Sequence, residues 1–220
     1  MEFSACEFIH FFNSVADKME DNKDYLCELD RKLGDGDHGV TMSIGWQAVD
    51  EKLKGELVNE EDCGKINMIV GKTFLNAVGS SVGPLYATGF MRGAKIIKGK
   101  TVVDDRALID YWIAFGKGVQ ERGQAKKGDK TMVDTFVPFV DALETGREED
   151  FLHVFQKAVV SAEEGMNHTK ELISKKGRSS RLGDRSIGVQ DPGATSAYLI
   201  LAAFYDFVES KSKKISESTI

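Results

Sequence analysis

The sequence predicts an all-α protein, an eight-helix antiparallel bundle. Apolar residues recur at three- and four-residue spacing through most of the chain. No stretch alternates with period two, and no strand precedes a glycine loop, which argues against a Rossmann or P-loop sheet. Only 3 of the 220 residues are proline, so long helices can run unbroken. This length suits one domain or two small ones; the pattern implies a single helical domain over 1–210 and a polar, frayed tail over 211–220.

Taken in order, Phe3, Phe8, Ile9, Phe12 and Val15 form a helical stripe over 3–19. Asp21 and Asn22 start a shorter helix that ends near Asp30. Met42, Ile44, Trp46, Val49 and Leu53 mark a third, broken at Gly55. The acids of 59–62 favour a helix N-terminus, followed by the stripe Ile66, Ile69, Val70, Phe74 and Val78. Gly71-Lys72-Thr73 inside that helix is no Walker A motif, because Ile66 stands where a P-loop needs Gly. A loop, Gly79-Ser80-Ser81-Val82-Gly83-Pro84, leads to a helix over 85–97 that Gly99 stops. The stretch 103–105 starts the helix of Ala107, Leu108, Tyr111, Trp112 and Phe115. The basic loop 122–132 opens another, with Asp129 as the candidate N-cap. Phe151, Phe155, Ala158, Val159, Ala162 and Met166 continue the core pattern. The irregular stretch 177–194 contains Arg178, Arg181 and Arg185, and a last amphipathic helix covers 194–208.

The stretch 30–42 stands out chemically. It reads Asp30-Arg31-Lys32-Leu33-Gly34-Asp35-Gly36-Asp37-His38-Gly39-Val40-Thr41-Met42. Asp and Gly are poor helix formers, so a tight loop at a helix end is expected, with Asp30 on the last turn. Asp30, Asp35 and Asp37 can then converge, and three crowded anions repel unless a cation neutralises them. Carboxylates are hard oxygen ligands that suit magnesium beside phosphate, and the backbone N–H groups of 36–40 can face an anion. A solvated acidic turn is the bland alternative. A calcium loop counted from Asp35 is rejected, since Val40 and Trp46 occupy the positions that need Gly and Glu. His38 is open between metal ligand, general base and phosphate donor.

Net charge is −6, with pI near 5.3, which disfavours non-specific binding to nucleic acid or anionic membranes. Cys6, Cys27 and Cys63 form no CxxC pair and fit reduced thiols. The N-terminus lacks the basic and apolar regions of a secretory signal, and no apolar run reaches membrane-spanning length. A cytoplasmic location is expected.

Together these loops resemble the ADP-binding L subunits of dihydroxyacetone kinase, the DhaL family. The resemblance covers nearly the whole chain and rests on 30–42, Gly83-Pro84-Leu85, Gly128-Asp129-Lys130-Thr131-Met132, Gly177-Arg178, and 185–196. It implies an eight-helix barrel-like bundle with ADP or ATP and two magnesium ions in loops at one end. By motif, Asp30, Asp35 and Asp37 would hold the metals. His38, Gly39, Val40 and Thr41 would line the phosphates, with Ser81 and Val82. Gly123 and Met132 would border the adenine, and Arg178 with Asp191, Pro192 and Gly193 would close the site. Val82 replaces a usual Ser, Val189 a common His, and Thr41 a frequent Asn.

The implied reaction is phosphoryl transfer, with the metal–nucleotide site carrying the chemistry and no catalytic side chain assigned. Dihydroxyacetone would sit on a separate K subunit. A phosphohistidine carrier, the M subunit of a phosphotransferase system, would regenerate ATP from bound ADP. Two alternatives remain: an ATP-dependent kinase subunit for a related small ketose, and a nucleotide-state sensor that binds a regulator. A homodimer stays open.

Overall fold

The computed structural model describes residues 1–218. Among the described residues it contains nine α-helices and one two-stranded ribbon. The helices are α1 (Ala5–Asp21), α2 (Lys23–Leu33), α3 (His38–Lys54), α4 (Cys63–Ala77), α5 (Val82–Ile96), α6 (Asp105–Gly123), α7 (Val133–Thr145), α8 (Phe151–His168) and α9 (Pro192–Ser218). Eight of them close a ring: α1 packs on α3, then α3 to α9 each pack on the next, and α9 returns to α1. The short α2 packs on α3 and α9. The expected eight-helix bundle is therefore present, with α2 as an addition at one end.

Aromatic side chains fill the ring. Phe8, Phe11, Phe12, Trp46, Phe74, Phe90, Tyr111, Trp112, Phe115, Phe139, Phe155 and Phe204 are all fully buried. Their rings meet mostly edge to face, as in Phe90 on Phe115 at 4.9 Å and 82°, the arrangement that quadrupoles favour. Each fully buried ring stabilises the fold by roughly 1.5–3 kcal/mol. Asn67 lies among them because both ends of its amide are satisfied: it donates to the Cys63 carbonyl at 2.8 Å and accepts from the Tyr111 hydroxyl at 2.7 Å.

Contacts orient the ring. Ala5 donates to the Thr101 carbonyl and Cys63 to that of Lys100, while Arg106 pairs with Glu148 at 2.6 Å. The N-termini of α1, α4, α6 and α8 therefore gather at one end. All four are capped by their own side chains: Ser4 in a capping box with Glu7, then Asp62, Asp104 and Asp150. At this end lies the ribbon of β1 (Glu2–Ser4) and β2 (Val102–Asp104), paired antiparallel. The sequence pattern does not anticipate it, because three residues are too few to display a period of two.

The last helix also differs from expectation. It continues through Ser218 instead of stopping at Val208, and Lys211 ties the extension to α1 by pairing with Glu7 at 2.5 Å. The end of the expected tail, 219–220, lies outside the described residues.

Candidate functional site

The opposite end of the ring carries the acidic loop. Asp30 sits on the last turn of α2, whose terminal Gly34 donates to the Asp30 carbonyl at 2.5 Å. The chain turns through Gly36 at φ +80°, which glycine adopts without steric cost, and enters α3 at His38. Asp30 organises this turn: its Oδ2 accepts from the backbone N–H of Asp37 at 2.9 Å and of His38 at 3.1 Å. Gly39 then lies flat against α2. A Cβ there would meet the Lys23 carbonyl oxygen at 1.9 Å and Cys27 Sγ at 2.8 Å.

These constraints bring Asp30, Asp35 and Asp37 together, each offering a carboxylate oxygen within 4.8 Å of the others. Burial, then the neighbouring charges of Asp35 and Asp30, push the Asp37 carboxyl above its usual range, against the pull of Arg178. Such mutual destabilisation is relieved by a cation, and three hard oxygen donors suit magnesium better than a soft metal. The donor set fits the expected metal.

Arg178 arrives from the far side of the chain. It lies in a 3-10 stretch, Arg178–Ser186, interrupted at Gly183, and its guanidinium pairs with the Asp35 carboxylate. Sequence distance is thus no bar to the expected closure of 177–194 onto the loop. Arg181 and Arg185 are both exposed.

His38 points inward. It is buried, with Nε2 at 2.9 Å from Ser196 Oγ. Ser196 Oγ also lies 3.4 Å from the Tyr86 hydroxyl and donates to the Gly193 carbonyl at 3.1 Å. Burial lowers the His38 pKa to about 4, with Asp30 pulling the other way, so the imidazole is neutral near pH 7. The His38–Ser196–Tyr86 chain joins the first turns of α3, α9 and α5. Met132, at the start of α7, has its methyl 3.8 Å from where a Cβ on Gly193 would lie. The N-termini of α3, α5, α7 and α9 therefore converge at this end.

Their caps contrast with those at the ribbon end. Asp37, Ser81 and Met132 occupy the N-cap positions of α3, α5 and α7 without a side-chain capping bond. The expected Ser81-Val82 turn is the start of α5, and the neighbouring Ser80 hydroxyl is buried without a hydrogen-bond partner. Gly123 ends α6 against Leu85 of α5, whose Cδ2 would lie 3.3 Å from an added Cβ. The expected N-cap role of Asp129 is not observed. That carboxylate is buried and accepts from Lys126 N at 3.0 Å inside the loop, because the helix starts later, at Val133, where Thr131 Oγ1 accepts from Val133 N.

Asp191, Pro192 and Gly193 open α9. Asp191 is buried, and its Oδ2 accepts from Ala194 N at 2.7 Å. Burial pushes its pKa up to about 7; the Ala194 bond and Lys130 oppose this, and Asp134 and Asp30 reinforce it.

Ser196, Tyr86, Lys130, Asp134 and Thr169 support this end and were not singled out from the sequence. One signal was available: Thr195 and Ser196 are polar residues in the otherwise apolar stripe of Ala197, Ile200, Leu201 and Phe204. Two clefts, of about 660 Å³ between α1 and α9 and about 1090 Å³ between α7 and α8, contain no triad carboxylate.

The family model of the DAK2 domain matches residues 32–206. The chain is 37% identical over 195 residues to the ADP-binding subunit DhaL of PEP-dependent dihydroxyacetone kinase 2 from Listeria innocua, covering 88% of this chain and 90% of that protein. It is 36% identical over 203 residues to the corresponding DhaL subunit of Escherichia coli K12, covering 91% and 96%. The fold matches the crystal structure of the dihydroxyacetone kinase from C. freundii in complex with AMP-PNP and Mg2+, with a TM-score of 0.69, 21% identity and coverage of 90% of this chain and 33% of that one. The chain therefore belongs to the DhaL family, the ADP-binding subunits of dihydroxyacetone kinase, built on the DAK2 domain.

Proposed function

We propose that this chain is the nucleotide-carrying subunit of a dihydroxyacetone kinase, transferring a phosphoryl group from magnesium-bound ATP to dihydroxyacetone on a separate K subunit. A phosphohistidine carrier, the M subunit, restores ATP from ADP that stays bound, and the assembly works in the cytoplasm. The relatives are ADP-binding subunits of PEP-dependent kinases, which supports the pairing with a phosphate carrier. The observation that carries the reading is the carboxylate triad beside the N-termini of α3 and α5, whose N-cap residues make no side-chain capping bond.

In this reading Asp30, Asp35 and Asp37 would hold two magnesium ions. Bound there, the metal would supply charge neutralisation and Lewis-acid polarisation of phosphate oxygens. The residues of the chain bind and orient. His38, Gly39, Val40 and Thr41 open α3, and Ser81 and Val82 open α5; both would offer the positive end of a helix dipole to an anion, with the N–H groups of His38 and Thr41 held by Asp30 and the Asp37 carbonyl. Neutral His38 adds no positive charge and is held by Ser196. Gly123 and Met132 offer backbone and apolar surface for an adenine. Arg178 exchanges its carboxylate partner for phosphate oxygens, and the Asp191-Pro192-Gly193 turn closes the pocket and excludes water. Phosphoryl transfer requires positioning and charge neutralisation more than covalent help from the protein, so no general base is needed from this chain.

The test is nucleotide analysis of the purified protein, combined with melting. ADP should copurify. Magnesium with ADP should raise Tm by mass action, and either alone should do little. An equal rise with ADP in chelator contradicts metal-bridged binding.

A further inference from the structure

Lys130 is 1% exposed, and among the described residues its side-chain ammonium bonds to backbone carbonyls and to no carboxylate. Its three N–H donors are shared among four backbone carbonyls: Thr169 at 2.7 Å, Leu172 at 3.2 Å, Ser186 at 2.6 Å and Val189 at 2.6 Å. Its own backbone is left-handed, with φ +62°, a conformation that non-glycine residues hold only when their surroundings impose it.

The four carbonyls come in two pairs. Thr169 and Leu172 lie where the chain leaves α8, and Ser186 and Val189 where it returns toward α9. Between the pairs, the chain runs out to Arg178 at the acidic loop. The ammonium therefore sits at the neck of a long loop whose outer part carries the guanidinium. Other bonds close the same neck: Gly188 N donates to the Lys170 carbonyl at 2.7 Å, Ser174 N to Ser186 Oγ at 2.9 Å, and Lys175 N to the Asp129 carbonyl at 3.1 Å. Thr169 also accepts from Asp191 N through Oγ1 at 2.9 Å, which connects the neck to the turn that opens α9. A ring of carbonyls replaces the hydration shell of a cation; burial lowers the Lys130 pKa, and Asp191 and Asp134 pull the other way.

We propose that Lys130 is a positioning residue, a built-in cation that clasps the neck of the 169–189 loop and so holds Arg178 over the carboxylate triad. Its effect on nucleotide release rests on the proposed function; the clasp itself does not.

Two variants separate charge from volume. Lys130→Met fills the space without the cation, and Lys130→Ala opens the carbonyl cage to a small cation from solution. Release of fluorescently labelled ADP in magnesium should accelerate about 10–100-fold in both, the loss expected when charge-assisted bonds holding a contact are removed. Methylammonium should slow release from Lys130→Ala and leave Lys130→Met unchanged; tetramethylammonium, too large for the cage, should affect neither. Amide exchange without nucleotide should quicken at Lys175, Ile187 and Gly188 and stay at the wild-type rate in α4 to α6. Wild-type release in both variants overturns the proposal, as does exchange that quickens equally across the bundle, or an identical response of Ala and Met variants to methylammonium. If neither variant folds, wild-type exchange decides: Lys175 and Gly188 must open together below the global barrier and be slowed by magnesium with ADP, and exchange only through global unfolding refutes the clasp. If the wild type binds no ADP, the proposed function fails, and the amide comparison still decides the clasp.

Discussion

The two ends of the helical ring are built differently. At the ribbon end, α1, α4, α6 and α8 each begin with a side chain that accepts from their own first turn. At the other end, the N-cap residues of α3 and α5 make no such bond, although Asp30 accepts from His38 of α3, Thr131 from Val133 of α7 and Asp191 from Ala194 of α9; three carboxylates crowd there, and among the described residues Arg178 pairs with one of them. A cap contributes about 1 kcal/mol, and mutual repulsion of carboxylates costs stability. The ribbon end is optimised for folding, whereas the loop end is left unsatisfied in ways that a metal and an anion would satisfy. In the proposed function, two ends of the same helices divide stability from binding.

The sharpest way to break this comparison is at the triad. Asp30→Ala, Asp35→Ala and Asp37→Ala should each weaken magnesium-dependent ADP retention by about two orders of magnitude or more, since in the proposed function each would remove a direct ligand of a hard cation. In chelator, Asp37→Ala should melt at or above the wild-type temperature, because the Asp37 carboxylate is itself destabilised by burial and by its neighbours. Calorimetry and thermal melting check both halves. Full retention in all three variants refutes the assignment.

A smaller effect is expected at Arg178. Its ion pair with Asp35 is exposed and adds little to folding, so Arg178→Ala should leave Tm unchanged. If the guanidinium instead serves phosphate, its loss should raise the ADP off-rate by about one to two orders of magnitude, from roughly 1.5–3 kcal/mol of charge-assisted bonding. Arg181→Ala should change neither. Stopped-flow release of labelled ADP compares the pair, and equal small changes would return the 177–194 stretch to an ordinary surface loop.

The ribbon end should show the converse. Asp62→Ala removes acceptors from Gly64, Lys65 and Gly99 N–H groups, and Asp150→Ala removes one from His153. Each should cost about 1 kcal/mol of stability without altering ADP release, as read by denaturant melts beside the same stopped-flow assay. A change in release would mean that the ends are coupled.

The two ends were also unequally legible in the sequence. The helix starts at 59–62 and 103–105, where Asp62 and Asp104 prove to be the caps, could be placed because they are local: an acid immediately precedes a helical stripe. The acidic loop could be read for the same reason, since Asp30, Asp35 and Asp37 converge within one turn of chain. Lys130 could not. Its partners are backbone carbonyls of Thr169 to Val189, which any residue supplies, so no side-chain pattern marks them. Asp129 was read as a cap because an acid before a helix usually is one; tertiary burial gave it a loop role instead. The length of α9 was hidden because Lys211 is polar; its pairing with Glu7 of α1 and the Lys213–Glu209 pair support helix there.

The subtlest expectation joins two buried groups of the loop end with opposite tilts. His38 has its pKa lowered from 6.5 to about 4. Between those values the unfolded chain binds a proton that the folded one refuses, so this contribution is complete above pH 6.5 and is lost as pH falls toward 4. Asp191 has its pKa raised from 3.8 to about 7. Between those values the folded chain keeps a proton that the unfolded one releases, so its contribution is complete below pH 3.8 and is lost as pH rises toward 7. The windows overlap, and the slopes have opposite sign. Metal-free protein should therefore show only a shallow dependence of stability on pH between about 4 and 6.5 from this pair. Removing one partner exposes the other. Asp191→Asn keeps an acceptor for Ala194 N and leaves His38 to act alone, so stability should rise with pH across the window. His38→Gln leaves Asp191, and stability should fall. Urea melts of the three proteins in chelator, at half-unit pH steps, measure the slopes. Parallel curves for both variants would mean that neither group is held in the protonation state its burial demands, and that the loop end is more open to water than its packing indicates.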